Sequence, residues 1–287
     1  MALTIGAGGA AAAHANYMRS DPVPNAHLDA LPTRVLVGFS ERVNVASSGL
    51  TILDQSGREL AAGGTATADP TELTLSIGAA TNVGLGGVYT VAWHTISAQD
   101  GDAASGYFAF EVGTVAVSSA PGVTQTKAQG GVTVSLGVVP GAAGKNSYAL
   151  TAARSGAPLP SVSRVRLRIT PLDRDVGQSE IVLADSGGGA YGATGLELPF
   201  AGRYHVEAQI RRSDTVDDLA IGFDVQVSAA TASPSPSVAP ASFTVASASV
   251  GPAPAAEPGV PVGTLAIGAV LVLLAGGVAV ALARRRA

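Results

Sequence analysis

Apolar residues alternate with polar or small residues in short runs along most of the chain. Side chains that repeat every second residue lie on one face of a β-strand. The clearest runs are Val35–Phe39, Leu73–Ile77, Tyr89–Trp93, Phe108–Val112 and Val165–Ile169. Turn residues such as Gly, Asp and Ser separate such runs at roughly 8–15 positions, with no convincing helical period. The pattern predicts an all-β protein.

The runs fall into two groups, which predict two β-sandwich domains of the immunoglobulin-like or Greek-key type. The first covers residues 14–113 and the second covers residues 122–228, with a short connector at 114–121. Each group has a Gly-x-Tyr sequence at the head of a strand, ending at Tyr89 and at Tyr204. This sequence is typical of a tyrosine corner, in which the Tyr hydroxyl bonds to nearby backbone.

The segments outside these domains have a different composition. Residues 1–13 are apolar and end in small residues, which resembles the end of a signal peptide. A leader without that role is the alternative. Residues 229–262 are rich in Ala, Ser and Pro, with a single charge. Such a segment cannot bury enough apolar surface to fold, so it predicts an extended stalk.

A C-terminal membrane anchor is predicted by residues 264–283, an uncharged apolar run. As a helix it spans about 30 Å, the thickness of the hydrocarbon core of a bilayer. The basic end at 284–287 follows at once, and the positive-inside rule assigns it to the cytoplasm. We therefore expect a single-pass protein of the cell membrane with the rest of the chain outside the cytoplasm, periplasmic or at the cell surface. A buried core helix is the alternative.

Composition excludes several classes of function. The chain has no Cys, so disulfides, thiolate metal sites and thiol nucleophiles are absent. A net charge of −4 argues against a nucleic-acid partner. The sequence has no paired His zinc motif, no Gly-x-Ser-x-Gly elbow and no phosphate-binding loop, so we expect no enzymatic activity. Arg164, Arg166 and Arg168 alternate with apolar residues and are interpreted as the solvated face of a strand.

An acidic loop separates two of the strongest strand patterns, Tyr89–Trp93 and Phe108–Val112. It contains Asp100 and Asp102 on either side of Gly101. Two carboxylates at a loop tip can hold a metal ion, but the same residues also favour tight turns that bind nothing. From the residues alone, both interpretations stay open.

Four segments of the first domain carry a resemblance to a known family. They are an N-terminal His followed by a Ser-x-Pro turn, a Phe-Ser-Glu strand, a Tyr-Thr-Val-x-Trp strand with its Ser-Ala-x-Asp-Gly loop, and a closing aromatic strand. In this sequence they occupy residues 14–22, 37–43, 89–102 and 105–110. Together they resemble CopC-like copper-resistance proteins. The resemblance implies a Greek-key β-sandwich outside the cytoplasm that binds Cu(II).

The resemblance also implies a set of ligands. In that family, Cu(II) is bound by the N-terminal His with its free α-amine, a loop Asp and a loop His. His14 and Asp100 match the first two, whereas Asp102 stands where the family has the loop His. Glu41 matches a family carboxylate near the site and is expected to be an outer ligand or to orient one. The expected metal residues are therefore His14, Asp100, Asp102 and Glu41, and His94 is not a first choice.

These observations predict a membrane-anchored copper-binding protein of copper resistance or homeostasis. It would capture or transfer Cu(II), and a membrane copper transporter is a candidate partner. The main alternative is a structural or interaction module that has lost its copper site, because carboxylate in place of imidazole lowers the affinity for Cu(II). A third hypothesis is an oxidase in which His14 and a second His form a copper brace, but no such second His is evident.

Overall fold

The computed structural model describes residues 14–78, 86–115 and 118–230, and these residues belong to one compact unit. The predicted leader at 1–13, most of the stalk at 229–262, the apolar run at 264–283 and the basic end lie outside the described residues. Within the described ranges, no helix is long and apolar enough to cross a membrane. Apart from one short 3-10 turn at Val45–Ser47, the named elements are strands. The prediction of an all-β protein is confirmed.

Within residues 14–78 and 86–112, nine strands form two sheets. They are β1 (Tyr17–Asp21), β2 (His27–Leu28), β3 (Arg34–Phe39), β4 (Gly49–Asp54), β5 (Glu59–Gly63), β6 (Thr65–Ala66), β7 (Glu72–Ser76), β8 (Gly87–Ile96) and β9 (Ala103–Val112). One sheet has the order β1-β3-β7-β6 and the other has the order β2-β9-β8-β4-β5. Val35 and Val37 of one sheet share a buried core with Val91 and Phe110 of the other. The two sheets therefore pack face to face as a β-sandwich.

Nine further strands lie within the described residues 122–230. They are β10 (Val123–Gln129), β11 (Val132–Val139), β12 (Gly144–Arg154), β13 (Ala157–Pro158), β14 (Val162–Pro171), β15 (Ser179–Gly187), β16 (Ala190–Leu198), β17 (Gly202–Arg212) and β18 (Leu219–Val227). Their order is β10-β11-β12-β16-β15-β14-β17-β18, with β13 beside β12. Strand β15 pairs with both β14 and β16. The alternating residues of these strands share one buried core.

Tyr204 makes the bonds of a tyrosine corner in the second sandwich. Its buried hydroxyl donates to Phe200 O at 3.0 Å and accepts from Phe200 N at 3.1 Å. Burial raises the pKa of this hydroxyl, so it stays protonated and able to donate. Tyr89, at the matching position of the first sandwich, stacks against Phe110 with ring centroids 5.8 Å apart.

The second sandwich covers the outer edge of β9 through buried hydrogen bonds. The Tyr107 hydroxyl donates to Glu197 O at 2.6 Å, and Tyr107 N donates to Gln178 O at 3.2 Å. Leu196 N donates to the side-chain oxygen of Asn25 at 2.7 Å. An edge strand left open is prone to pair with other chains, so this cover also protects the first sandwich.

Polar contacts at the rim extend this interface. The Arg174 guanidinium lies over the Phe200 ring at 4.8 Å and donates to Ser56 O at 2.9 Å. Lys145 Nζ lies 3.4 Å from Glu111 Oε2, which is buried on β9. Lys145 and Glu111 lie on strands β12 and β9, whereas Arg174 and Ser56 lie in loops, so both strands and loops build the interface.

The β14 arginines form only in part the solvated face that their alternation predicts. Arg164 is exposed, whereas Arg166 and Arg168 line a groove against the first sandwich, with side chains 25% and 41% exposed. Arg166 donates to both oxygens of Glu180 at 3.2 Å. Alternation shows that these side chains share a face, but it does not show that another domain lies against that face.

Candidate metal centre

The segment that carries His14 is fixed to the sandwich by its backbone. Ala15 is fully buried, and the Thr95 hydroxyl donates to its carbonyl oxygen at 2.9 Å. The Ser40 hydroxyl donates to His14 O at 2.8 Å and accepts from Asn16 N at 3.0 Å. Ser40 N also donates to Asn16 O at 2.8 Å. These bonds hold His14 at one end of the sandwich before β1 begins.

Ser97 organises the acidic loop between β8 and β9. Its backbone nitrogen donates to Asp102 O at 2.9 Å, which closes the loop. Its buried hydroxyl accepts from Gln99 N at 3.1 Å. Gly101 has φ of +81°, in the left-handed region that glycine adopts without strain. The sequence Ser-Ala-Gln-Asp-Gly-Asp thus forms a tight, internally bonded loop, as its residue types predict.

His14 and Asp102 meet at this end of the molecule. Nδ1 of His14 lies 3.3 Å from Oδ2 of Asp102, although 88 positions separate the two residues, counted as 102 − 14. Their side chains are 47% and 40% exposed, so a metal ion can approach from solvent. With metal–ligand bonds of about 2.1 Å, two neighbouring donors lie about 3 Å apart. The observed distance suits a nitrogen and an oxygen that bind one ion side by side.

Asp100 and Glu41 make hydrogen bonds to the acidic loop itself. Oδ1 of Asp100 accepts from Asp102 N at 3.1 Å, so its carboxylate is turned onto the loop. Oε2 of Glu41 accepts from the Ser97 hydroxyl at 3.1 Å. Asp100 therefore shapes the loop that carries Asp102, and Glu41 supports that loop through Ser97.

The donor set suits copper in type, but it is small. An imidazole nitrogen beside carboxylate oxygen is the combination that tetragonal Cu(II) sites use. Within residues 14–78, 86–115 and 118–230, no group of three or more His, Cys, Asp or Glu side chains is placed to hold a metal ion. Two side chains give few bonds, so a further donor, such as the α-amine of a chain that starts at His14, is needed for tight binding.

The other histidines lie away from this pair. His27 Nδ1 is 3.7 Å from Glu111 Oε2, and His205 Nδ1 is 2.8 Å from Asp224 Oδ1 on the exposed face of the second sandwich. The bond from His205 lowers the pKa of Asp224. The His94 ring packs against Gly49, where an added Cβ would lie 2.8 Å from it. None of these three is brought to Asp102.

Sequence reasoning missed the residues that position His14. Ser40 and Thr95 act through bonds to backbone oxygens of residues 14 and 15. No spacing rule marks such bonds, because their acceptors belong to the backbone of any residue type. The one sequence feature that could have indicated this role is the position of Ser40, directly before Glu41 in the Phe-Ser-Glu segment.

The comparisons with known proteins agree with this architecture. The family model of the CopC domain matches residues 17–113. CopC from Methylosinus trichosporium OB3b is 31% identical over 34% of this chain and 93% of that protein, with a TM-score of 0.32. PcoC, a methionine-rich copper resistance protein from Escherichia coli, is 25% identical over 35% of this chain and 99% of that protein, with a TM-score of 0.30.

A search of curated proteins found no match. The two TM-scores are low, so the assignment rests on the family model and on the sequence identity to the Methylosinus protein. That identity spans nearly the whole length of the relative. Through its first domain, the chain belongs to the CopC family.

Proposed function

We propose that the protein binds copper through His14 and Asp102 and serves copper resistance or homeostasis. The observation that carries the proposal is the 3.3 Å approach of His14 Nδ1 to Asp102 Oδ2 at an exposed end of a CopC domain. Cu(II) is the favoured state, because the pair offers nitrogen and oxygen donors and no sulfur. Of the two methionines of the chain, Met18 is 66% exposed and Met1 lies outside the described residues.

Capture requires only that the ligands are held and deprotonated. Ser40 and Thr95 hold the backbone around His14, and Ser97 holds the loop that presents Asp102. If the mature chain starts at His14, its α-amine and imidazole belong to the same residue and can bind the same ion. Protons compete with copper for both nitrogens, so affinity falls as the pH falls. Copper is the cargo, and we propose no catalytic step.

The place of action that we propose is the outer face of a membrane. The support is sequence: residues 264–283 have the length and polarity of an anchor, and arginines follow them. Residues 229–262 would act as a stalk that sets the distance between the CopC domain and the bilayer. This arrangement suits transfer of copper to a membrane transporter.

A copper titration of matched variants tests the proposal. We expect wild-type protein to show a nitrogen-containing tetragonal Cu(II) signal by electron paramagnetic resonance. Asp102→Asn should weaken binding by at least about tenfold, because it removes the anionic ligand. Asp29→Asn, an equally conservative change at an exposed Asp of the same domain, is the control. Equal affinities of the two variants would contradict the proposal.

An interaction module without copper is the second candidate, favoured by the carboxylate at position 102 in place of imidazole. The substitution Asp102→His distinguishes these two candidate functions. If the protein binds copper, this change should strengthen an affinity that is already measurable. If the site has been lost, Asp102→His should produce binding where the natural protein shows almost none.

A further inference from the structure

A second candidate site lies between the two sandwiches. It is a groove of about 640 Å³ bounded by β1, β8 and β9 on one side and by β14, β15 and β16 on the other. Pockets for small organic molecules are typically about 300–1,000 Å³. We call it the interdomain groove and define it by Tyr17, Trp93, Phe108, Arg166, Arg168 and Glu197, which all line it.

The wall formed by the first sandwich is aromatic. The Tyr17 and Phe108 rings lie 5.6 Å apart, and the Trp93 ring packs against the backbone of Gly106. An added Cβ at Gly106 would lie 2.6 Å from Trp93 Cζ2 and 2.7 Å from Gln178 O. Glycine at this position therefore lets the indole and the second sandwich approach together. This wall offers apolar surface to a ligand.

The opposite wall carries two arginines. Arg166 and Arg168 share one carboxylate, Glu180, at 3.2 Å and 3.9 Å respectively. Glu207 lies opposite Arg168 on the neighbouring strand β17 but does not line the groove. Nε of Arg168 is buried and has no hydrogen-bond partner among the described residues. A buried donor without a partner is costly, so this group is suited to an acceptor that enters the groove.

Glu197 adds a buried carboxyl at the end of the groove. The residue is only 7% exposed, and its Oε2 has no hydrogen-bond partner in the described part of the chain. Its Oε1 accepts a long bond of 3.5 Å from Asn25. Burial raises the pKa of this carboxyl, which favours its neutral, protonated form.

We propose that the interdomain groove binds a small organic carboxylate with an apolar group. The carboxylate accepts from Arg168 and the apolar group packs on Tyr17 and Trp93. The groove exists only where the two sandwiches meet, so binding would also favour their docked arrangement. The proposal is independent of copper, because neither His14 nor Asp102 lines the groove.

Trp93 is the only tryptophan of the chain, so its fluorescence reports directly on the groove. The experiment titrates metal-free full-length protein with 3-phenylpropanoate. Its neutral analogue, 3-phenylpropan-1-ol, tests the need for charge, and acetate tests the need for the apolar group. Arg168→Gln removes the free donor. Arg164→Gln is the matched control, because Arg164 lies on the same face of the same strand but outside the groove.

We expect a saturable change in Trp93 emission with 3-phenylpropanoate at a Kd below about 1 mM. Arg168→Gln and the neutral alcohol should each weaken binding by about tenfold or more, because each removes a charge-assisted hydrogen bond. Arg164→Gln should bind like the wild type, and acetate should bind far more weakly.

Three results would overturn the proposal. The first is that Trp93 emission shows no saturable change up to about 10 mM 3-phenylpropanoate. The second is that the two arginine variants bind 3-phenylpropanoate with equal affinity. The third is that wild-type protein binds the acid and the alcohol with equal affinity. The comparison of acid and alcohol uses unaltered protein, so it stands even if Arg168→Gln fails to fold.

Discussion

The two polar regions of this molecule differ in how their groups are held. At the proposed copper site, His14 and Asp102 are nearly half exposed and meet through one contact of 3.3 Å. At the interdomain interface, Tyr107 and Glu197 are 3% and 7% exposed, and Tyr107 makes hydrogen bonds as short as 2.6 Å. The first region can exchange partners with solvent, whereas the second is committed to one arrangement.

The difference follows from solvation. An exposed ion pair contributes about 0–1 kcal/mol to stability, because water competes for both charges. A buried donor or acceptor that loses its partner costs about 1–3 kcal/mol, because no water replaces it. We therefore expect changes at the interface to alter folding, and changes at the proposed copper site to alter metal binding with little effect on folding.

The largest effect is expected from Gly106→Ala at the interface. The new Cβ would lie within 2.7 Å of both Trp93 and Gln178, so the docked sandwiches must shift. We expect a loss of about 1–3 kcal/mol in the free energy of unfolding, with a change in Trp93 emission. Denaturant unfolding followed by tryptophan fluorescence measures both. Gly87→Ala is the control, since its Cβ would meet nothing within 4 Å; equal losses in both variants would contradict the account.

A smaller effect is expected from Tyr107→Phe. The change leaves the buried Glu197 carbonyl without its 2.6 Å donor and should cost about 1–2 kcal/mol. Tyr17→Phe removes a half-buried hydroxyl that bonds to Ser20 at 3.0 Å, and should cost less than about 0.5 kcal/mol. Thermal unfolding of the two variants gives the comparison, and the interface account fails if Tyr17→Phe is the more damaging change.

Glu197→Gln should change how stability depends on pH. The pKa of Glu197 is raised by burial above its ordinary value of 4.5, so the folded protein holds this proton more tightly than the unfolded chain. The stability that this protonated carboxyl contributes is fully present below pH 4.5, and it is lost as the pH rises through the raised pKa. Denaturant unfolding from pH 4 to pH 8 should show that Glu197→Gln gains stability relative to the wild type as the pH rises. Parallel curves would mean that Glu197 is not buried as described.

The smallest effect on folding is expected from Asp102→Asn in metal-free protein. The residue is exposed, and its contact with His14 is a surface pair, so the change should cost less than about 0.5 kcal/mol. With copper present, the wild type should gain stability that the variant does not gain. Melting temperatures with and without Cu(II) test this. A large loss of stability in metal-free protein would show that Asp102 stabilises the fold instead of binding copper.

The sequence predicted the strands well, because period-two alternation reports a strand with one buried face. Strand β9 shows the limit of that rule. Alternation predicts that Phe108 and Phe110 form its inward face, but Tyr107 and Ala109, on the opposite face, are also buried. The second sandwich covers the other face and edge of β9, and alternation within one strand carries no signal of such a distant partner.

The proposed copper site was predictable only in part. The loop chemistry of Asp100-Gly101-Asp102 is local and could be read from residue types. The approach of His14 to Asp102 depends on Ser40 and Thr95, which bond to backbone atoms far away in sequence. Only the resemblance to a family linked His14 to the loop, and the interdomain groove had no sequence signal of its own.

The most direct test of the central claim compares two chains of residues 14–228 that differ only at the start. One begins at His14 and the other keeps Ala13 ahead of it. If His14 supplies both imidazole and α-amine beside Asp102, the extra residue should weaken Cu(II) binding by at least about tenfold and reduce the nitrogen coupling in the electron paramagnetic resonance spectrum. Equal affinity and identical spectra for the two chains would contradict the proposed site.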